Sequence, residues 1–297
     1  FWLWSPAAAP SWAVQVGRQD FDEEREWLYD ENLDAVRVHW RRSTARVEGS
    51  LSTRWNSTSS RLDGWTNAIL FAEREVRDRH VLALWGIHRA NGSDTPTWIG
   101  LRSSGRLSRR LRHWVDTASL TGNLDGVRRS AYAIDAGLRY RAIQKNRTEF
   151  TVGWARGSGG GDSRETFHST GLGDNNARFG GVTGFKYYGE LLEPELVNLE
   201  IVTAAAGFRP TRSSSIDLIF HDYRQVAASR RDFDTALESR PLGLDPDLGS
   251  EWNVIVGFEE LRQVDIEYDF AYFTPGRAFP ESAEAATVHR FKMRFKF

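Results

Sequence analysis

Hydrophobic and polar residues alternate one by one along much of this chain, and the pattern is clearest at its last residues. From Arg290 to Phe297 every even position is basic and every odd position is large and apolar. Side chains alternate across a β-strand, so the basic residues share one face and the apolar residues share the other. A sheet of this kind could cover a soluble core. A strand that ends on an aromatic residue, after many alternating segments, more specifically predicts an outer-membrane β-barrel.

The same alternation recurs in earlier segments and predicts an all-β fold. Val36 and Val38, for example, lie on the face opposite Arg37. We predict about 14 strands in a single transmembrane antiparallel β-barrel domain over residues 1–297, since bacterial barrels have even strand numbers. Segment 64–76 contains a continuous apolar run at 68–72, so a helix is the alternative there. The predicted strands lie near 11–17, 33–43, 44–55, 64–76, 79–89, 95–102, 106–119, 127–142, 147–155, 197–208, 213–226, 251–259, 261–273 and 287–297.

The connections between these strands alternate in length. Long outer loops and short periplasmic turns are typical of outer-membrane barrels, whereas a soluble sandwich has no reason to keep that order. The long connections are predicted at 18–32, 56–63, 90–94, 120–126, 156–196, 227–250 and 274–286. The short ones are predicted near 43, 77–78, 103–105, 143–146, 209–212 and 260.

Composition agrees with a barrel and excludes several other classes. Charged residues form 27% of the chain, and no run approaches the roughly 18–20 apolar residues that a membrane helix needs. The 12 Trp residues suit the aromatic girdles of a barrel, and the absence of Cys excludes disulfides and thiolate chemistry. A net charge of -1 excludes a global attraction for polyanions but not a local one. Residues 1–4 lack the basic region of a signal peptide, so we expect a mature or truncated start.

Two blocks of sequence carry a family resemblance. The first is Val16–Phe21 followed by Glu24–Arg37, and the second is Gly173–Gly181 followed by Tyr187–Glu190 and Pro194–Leu196. Both blocks are similar to those of the alginate-export outer-membrane porins, and the resemblance extends from about residue 11 to the end of the chain. It implies passive export of an anionic polysaccharide through an arginine-rich lumen. It also implies a barrel of about 16–18 strands whose first strands are missing from this chain.

The polar faces of the predicted strands carry many basic residues that would line such a lumen. A confined pore focuses their field, and arginine can bind a sugar carboxylate through two parallel hydrogen bonds. Acidic residues such as Glu48, Asp135 and Glu267 occur on the same faces, so the alternative is that these charges only pair across strands. The predicted substrate path consists of Arg37, His39, Arg41, Arg46, Arg139, Arg141, Arg178, Lys186, Tyr187, Tyr188, Arg290, Lys292 and Arg294.

The connection 156–196 is much longer than ordinary loops, and such loops are usually functional or disordered. We expect part of it to fold into the pore as a lid or constriction, where Tyr187 and Tyr188 would stack on sugar rings. An external, disordered loop is the alternative, mainly for residues 156–172. The acidic run Asp20–Glu31 could bind calcium or bridge to lipopolysaccharide, but it lacks the spacing of a calcium loop, which favours a solvated loop.

The sequence gives little support for catalysis. His221 and Asp222 are adjacent on a predicted strand and therefore point to opposite faces. A barrel hydrolase would need a Ser–His–acid cluster, and no metal-binding spacing is present. We expect no enzyme activity, no cofactor and no nucleic-acid partner. The expected partners are an anionic polysaccharide, outer-membrane lipid and lipopolysaccharide, and the barrel-assembly machinery through Phe297. A non-conducting barrel that acts in adhesion or partner binding is the alternative function.

Overall fold

The computed structural model describes residues 2–4, 11–54, 64–77, 79–261 and 263–296, and the regular secondary structure of this part of the chain is almost entirely antiparallel β-structure. Its single 3-10 helix spans Ser163–Glu165. The strands are β1 (Trp2–Trp4), β2 (Trp12–Asp22), β3 (Asp30–Arg42), β4 (Ala45–Thr53), β5 (Thr66–Arg77), β6 (His80–Ala90), β7 (Thr97–Arg106), β8 (Leu111–Leu124), β9 (Val127–Ile143), β10 (Thr148–Gly157), β11 (Asn176–Ala177), β12 (Phe185–Lys186), β13 (Leu199–Phe208), β14 (Ser214–Gln225), β15 (Asp247–Leu261), β16 (Val264–Pro275) and β17 (Ala286–Phe295). Among the described residues, no helix is both long and apolar enough to cross a membrane.

Fifteen of these strands form one sheet in which almost every strand pairs with its neighbour in sequence. The exception is the pairing of β10 with β13, which skips the separate hairpin β11–β12. Within the part of the chain that the structure describes, β1 pairs with β2 and β17 pairs with β16, so these strands are the two ends of the order. Such a meander is the topology of an up-and-down β-barrel.

One face of the sheet is apolar and exposed, and the other encloses a buried interior. Large apolar side chains such as Leu70, Leu101 and Val152 are more than half exposed on the outer face. In β17, Phe291 is likewise exposed, whereas Arg290 forms an ion pair with Glu190 inside the sheet. The predicted alternation of β17 is therefore present. Phe297, which we also predicted to face lipid, lies outside the described residues.

Each predicted strand has a counterpart, and segment 64–76, with its apolar run at 68–72, is strand β5 rather than a helix. The largest differences in length occur at the long-loop end. Strand β2 continues to Asp22, with Phe21 buried and Asp20 exposed, through a region we predicted as loop. Charged residues are compatible with the outer face there because the strand extends past the apolar band into solvent.

One predicted long connection is wrong. Between β8 and β9 the chain turns at Asp125 and Gly126 alone, although we predicted a loop over 120–126. Both residues have positive φ, 54° and 72°, as a type I′ hairpin turn requires. Asp-Gly is a preferred sequence for this turn, so the signal was present in the chain. The predicted connection 56–63 lies outside the described residues.

Two connections at the long-loop end turn into the interior, and we call them the first inner loop (23–29) and the second inner loop (158–198). Trp27 of the first packs edge-on against Trp85 of β6, with ring centroids 6.1 Å apart. Tyr188 of the second is buried and donates a hydrogen bond to Asp135 of β9. The long-loop half of the interior is therefore filled by these two loops.

Candidate functional site

A buried arginine joins the first inner loop to the wall of the barrel. The Arg25 guanidinium lies 2.5 Å from the Asp135 carboxylate and 3.8 Å from that of Asp116. It also lies between two rings, 4.7 Å from the centroid of Trp114 and 4.2 Å from that of Tyr187. These contacts combine ion pairing with cation–π attraction, so Arg25 links strands β8 and β9 to both inner loops.

The position of Trp114 depends on a glycine in the next strand. Gly137 is directly opposite Trp114 in the β8–β9 ladder, and a Cβ atom at Gly137 would lie 2.1 Å from the indole ring. The glycine therefore lets the indole lie across β9. From there its Nε1 donates a hydrogen bond of 2.8 Å to Asp135, whose other carboxylate oxygen accepts one of 2.9 Å from Tyr188.

A second buried arginine extends this network. Arg102 of β7 forms ion pairs with Asp116 and with Glu23 of the first inner loop. The Glu23 carboxylate also accepts hydrogen bonds from the backbone N–H groups of Trp27 and Leu28, which closes the loop. Burial alone would raise the pKa of Glu23, but the Arg102 guanidinium and the backbone N–H groups of Arg25 and Leu28 lower it below its usual value.

The second inner loop is fixed along much of its length. Glu251 of β15 accepts hydrogen bonds of 2.9 Å from the backbone N–H groups of both Leu191 and Leu192. Arg209, in the short turn between β13 and β14, donates to the carbonyls of Gly180 and Gly181 at 2.6 and 2.7 Å. The loop therefore descends from the long-loop end to the short-turn end along one wall.

A cavity of about 760 Å³ lies between the inner loops and the short-turn end of the barrel. We call it the inner cavity. Its lining includes eight basic and six acidic side chains. The basic residues are Arg25, Arg79, Arg102, Arg112, Arg139, Arg178, Lys292 and Arg294, and the acidic residues are Glu24, Glu26, Glu75, Glu259, Asp265 and Glu267.

Three arginines form a row on the wall beside this cavity. Arg106 of β7 is directly opposite Arg112 of β8, which is directly opposite Arg139 of β9. Like charges directly opposite in a sheet are destabilising. Arg139 is 3.3 Å from Glu149, but among the described residues neither Arg106 nor Arg112 has a carboxylate within 4.0 Å. The row can therefore bind an anion that would offset the repulsion between the guanidinium groups.

A smaller cavity of about 270 Å³ lies on the other side of the hairpin β11–β12, toward the long-loop end. We call it the outer cavity. Its charged lining is mainly acidic, with Lys186 as the basic residue and Asp174, Glu193, Glu195 and Asp234 as the acidic residues. Lys186 forms an ion pair with Asp174. The hairpin thus separates a cavity with a basic excess from one with an acidic excess.

Many of the predicted path residues on the wall have acidic partners in adjacent strands. Glu48 pairs with Arg37 and lies 3.3 Å from His39. Glu149 pairs with both Arg139 and Arg141. Arg46 pairs with Glu73 at 3.1 Å, and Arg41 is exposed beyond the inner cavity. The cross-strand pairing that we kept as the alternative therefore describes the contacts of Arg37, His39, Arg46, Arg139 and Arg141.

The predicted loop residues occupy different positions from one another. Arg178 lines the inner cavity without a carboxylate within 4.0 Å among the described residues, and its carbonyl accepts a hydrogen bond from Arg139. Tyr187 and Tyr188 are buried, with 1% and 3% of their surfaces exposed. Their rings pack against each other and Arg25 covers Tyr187, so neither presents a free face to a sugar in this conformation.

The last strand contributes to the inner cavity through Lys292 and Arg294. Lys292 lies 2.6 Å from Glu267, whereas Arg294 has no carboxylate within 4.0 Å among the residues described. Arg112 was not among the residues predicted to line the path, although it shares the spacing of two with Trp114 and Asp116 along β8. Arg106 was not among them either, since we predicted a turn at 103–105 where β7 continues.

Within the described part of the chain, Ser103 and two histidines form an arrangement that bears on the hydrolase alternative. Ser103 Oγ lies 2.9 Å from His113 Nε2 and 3.2 Å from His80 Nε2. His113 Nδ1 is buried without a hydrogen-bond partner among the described residues, so no acid orients the ring as a catalytic triad requires. His221 is fully buried and Asp222 is exposed on the opposite face.

Three acidic residues of the predicted acidic run converge. Asp22, Glu26 and Asp30 offer oxygen atoms that all lie within 4.8 Å of one another, a spacing that a divalent cation can bridge. Burial, together with the nearby carboxylates of Asp30 and Asp174, raises the pKa of Glu26 to about 7. The group lies at the long-loop end, where β2 and β3 meet the first inner loop.

Comparison with known proteins gives a family match over most of the chain. The family model described as alginate export matches residues 6–292. Two curated relatives are the alginate production proteins AlgE of Pseudomonas aeruginosa and Azotobacter vinelandii. The first is 29% identical over 235 residues, which cover 65% of this chain and 47% of the relative. The second is 33% identical over 99 residues, or 32% of this chain and 20% of the relative. The chain spans about half the length of the first of these relatives and less of the second.

Solved structures share the fold. The crystal structure of Pseudomonas aeruginosa OccK11 (OpdR) aligns with a TM-score of 0.60 at 10% identity, covering 97% of this chain and 78% of that protein. The structure of OccK3 (OpdO) from the same organism aligns with a TM-score of 0.59 at 12% identity, covering 96% and 76%. At this identity the likeness concerns the fold alone, that of an outer-membrane β-barrel.

Proposed function

This chain belongs to the alginate-export family of the bacterial outer membrane, and we propose that it passes an anionic polysaccharide by diffusion through a cationic part of its lumen. The two AlgE relatives are named for alginate production, which supports a uronate polymer as the substrate class.

The observation that carries the proposal is the row of Arg106, Arg112 and Arg139 beside the inner cavity. Three guanidinium groups in direct register repel one another, and bound carboxylates would relieve that repulsion. A planar guanidinium matches a carboxylate through two parallel hydrogen bonds, so successive uronate units could be held in turn. Arg178 and Arg294 add positive charge to the same cavity.

The acidic residues of the inner cavity keep this binding from becoming too strong for transport. Conduction requires binding that is favourable enough to admit the solute but weak enough to release it. Glu267 already pairs with Lys292, while Glu24 and Glu259 contribute negative charge without an ion pair within 4.0 Å among the described residues. A mixed wall with a basic excess therefore fits a diffusive path better than a tight binding site.

In this conformation the hairpin β11–β12 separates the inner from the outer cavity. Asn176 and Gly184 line the inner cavity, whereas Asn175 and Lys186 line the outer one. A sugar chain can therefore cross only when the second inner loop moves aside. The path we propose has a fixed cationic wall and a movable barrier.

The packed inner loops also favour a second candidate function. Leu28, Leu172 and Leu192 are almost completely buried inside the barrel, as in the core of a soluble protein. A barrel filled in this way would suit adhesion or partner binding through its loops without conduction. Conductance of the unaltered protein, and of a variant that lacks the second inner loop, separates the two functions.

Replacing Arg112 and Arg178 with Gln is expected to lower the anion-to-cation permeability ratio about twofold or more, because the field of the inner cavity weakens. Block by uronate oligomers should weaken in parallel. Stability should stay equal or rise by about 0.2–1 kcal/mol, since Arg112 loses its like-charged neighbours. Permeability comes from reversal potentials in planar bilayers, and stability from urea unfolding.

Arg128→Gln is the matched control, because Arg128 is an exposed arginine of β9 near the long-loop end. It should leave selectivity and block unchanged. Unaltered selectivity in the Arg112 and Arg178 variant would show that these residues do not line the path, and the proposed cationic wall would be wrong.

A further inference from the structure

Charge is distributed unequally between the two ends of the barrel. The short connections 107–110, 144–147 and 209–213 carry only basic charges, and Arg79 of the β5–β6 turn adds another. Among the described residues, the short connections contain no acidic side chain, although in the sequence Asp78 directly precedes Arg79. The basic set is Arg79, Arg109, Arg110, Lys145, Arg147, Arg209 and Arg212.

The long-loop end has the opposite balance. In the second inner loop six residues are acidic and three are basic. The acidic ones are Asp162, Glu165, Asp174, Glu190, Glu193 and Glu195, and the basic ones are Arg164, Arg178 and Lys186. The outer cavity repeats this excess, since Lys186 is its basic residue against four carboxylates. The net charge of -1 conceals a separation of charge along the barrel axis.

Four of the basic residues of the short turns lie apart from the carboxylates of the described residues. Arg109, Arg110, Lys145 and Arg147 are exposed, and none has a carboxylate within 4.0 Å among the residues that the structure describes. The turns that hold them connect β7 to β8 and β9 to β10, and the first three of these strands carry the arginine row. The exposed cations are therefore continuous with the inner cavity that Arg112 and Arg139 line.

We propose that the exposed basic residues of the short turns form a loading surface for a uronate polyanion, and that the acidic long-loop end disfavours capture from the other side. This proposal rests on the proposed function, because it assumes that a polyanion crosses the barrel. Exposed charges act over about a Debye length, near 8 Å at physiological ionic strength, so they raise the rate of encounter. Carboxylates of the polymer are the ligand, bound through charge-assisted hydrogen bonds.

Fixed charges cannot impose a net direction of transport between equal concentrations, because they change forward and reverse rates consistently. They can, however, make capture of the polymer faster at one end of the barrel than at the other. A polymer presented at the short-turn end meets a positive field before it reaches the arginine row. After it crosses the hairpin β11–β12, the carboxylates of the outer cavity oppose its retention. A barrel of this polarity captures efficiently from one side and releases on the other.

The test measures block by tri-galacturonate from each side of a planar bilayer of neutral phosphatidylcholine, using the full-length protein. The chain contains no cysteine, so a Ser282→Cys variant, with biotin on the new thiol in the exposed connection 276–285, reports orientation through streptavidin added to one side. The association rate of the blocker should be about tenfold higher from the short-turn side at low salt. The ratio of the association rates from the two sides should approach one near 1 M salt, where the Debye length is about 3 Å.

A variant with Arg109, Arg110, Lys145 and Arg147 changed to Gln should lose about tenfold in association rate from the short-turn side, while the dissociation rate is retained. The matched control changes four basic residues of long connections to Gln, namely Arg230, Arg231, Arg240 and Arg277. The control removes the same charge, yet it should leave association from the short-turn side unchanged.

Equal association rates from both sides, or an unaltered rate in the short-turn variant, would overturn the loading surface and leave the proposed function standing. Absence of block from both sides would overturn the proposed function and the loading surface together. A parallel experiment in a bilayer that contains phosphatidylglycerol tests whether lipid phosphates compete with the polymer for the basic short turns. If its phosphates abolish the sidedness at low salt, the short turns serve lipid rather than the polymer.

Discussion

Replacing residues 159–197 with a four-residue Gly/Ser turn is expected to raise single-channel conductance about threefold or more, since a large barrel without an internal plug leaves an aqueous channel. Discrimination between uronate oligomers and chloride should fall at the same time. The replacement is compatible with the barrel because Arg156 of β10 is directly opposite Glu200 of β13, so a tight turn can join the two strands. Planar-bilayer recordings measure both quantities.

The control for this deletion shortens a different connection at the same end of the barrel. Replacing residues 281–284 with a Gly-Ser pair removes Glu281 and Glu284, which are exposed, and should leave conductance unchanged. Equal conductance in the unaltered protein and the 159–197 variant would place the second inner loop outside the permeation path. The adhesive alternative would then gain support.

Replacing Arg25 with Met is expected to cost about 3–5 kcal/mol of stability, because it leaves the buried carboxylate of Asp135 without its cation, whereas Asp116 keeps its ion pair with Arg102. The loss should be accompanied by larger fluctuations of open-channel current, since Arg25 links both inner loops to the wall. Urea unfolding followed by tryptophan fluorescence is a suitable measurement, because Arg25 lies over the Trp114 ring.

Arg18→Met is the matched control for this prediction. Arg18 lies 2.7 Å from Asp34, but its side chain is 44% exposed, so the loss should be about 0–1 kcal/mol. Adding Asp135→Asn to the Arg25 variant should recover part of the lost stability by removing one uncompensated charge. An Arg25 variant as stable as the Arg18 control would mean that the buried network does not hold the inner loops.

Alternation along the sequence predicted the fold because a barrel wall needs a strict period of two. In β17, the positions of Phe291 and Arg290 on opposite faces follow directly from that period. The ends of the strands were less predictable. Strand β2 continues past the apolar band through Asp20 and Phe21, and the outer face there carries the charged Asp20 instead of a large apolar residue. The turn at Asp125-Gly126 could have been found from its residues, because Asp-Gly suits two consecutive positive φ angles.

The site was less predictable because a period of two gives the face of a side chain and not its partner. Arg102 and Glu23 are 79 residues apart in sequence, and Arg25 and Asp135 are 110 apart. Such pairs form only when a loop enters the barrel, so the pattern could not distinguish Arg37, which is paired, from Arg112, which is not. Tyr187 is likewise buried beneath Arg25 because both inner loops enter the barrel, which the alternation along the sequence does not reveal.

The most direct test of the central claim is the reversal potential of the full-length protein in a planar bilayer under a KCl gradient, with tri-galacturonate then added as a blocker. The field of Arg106, Arg112 and Arg139 predicts an anion-selective potential that shrinks at high salt, and block by the oligomer. A cation-selective potential without block would contradict the account.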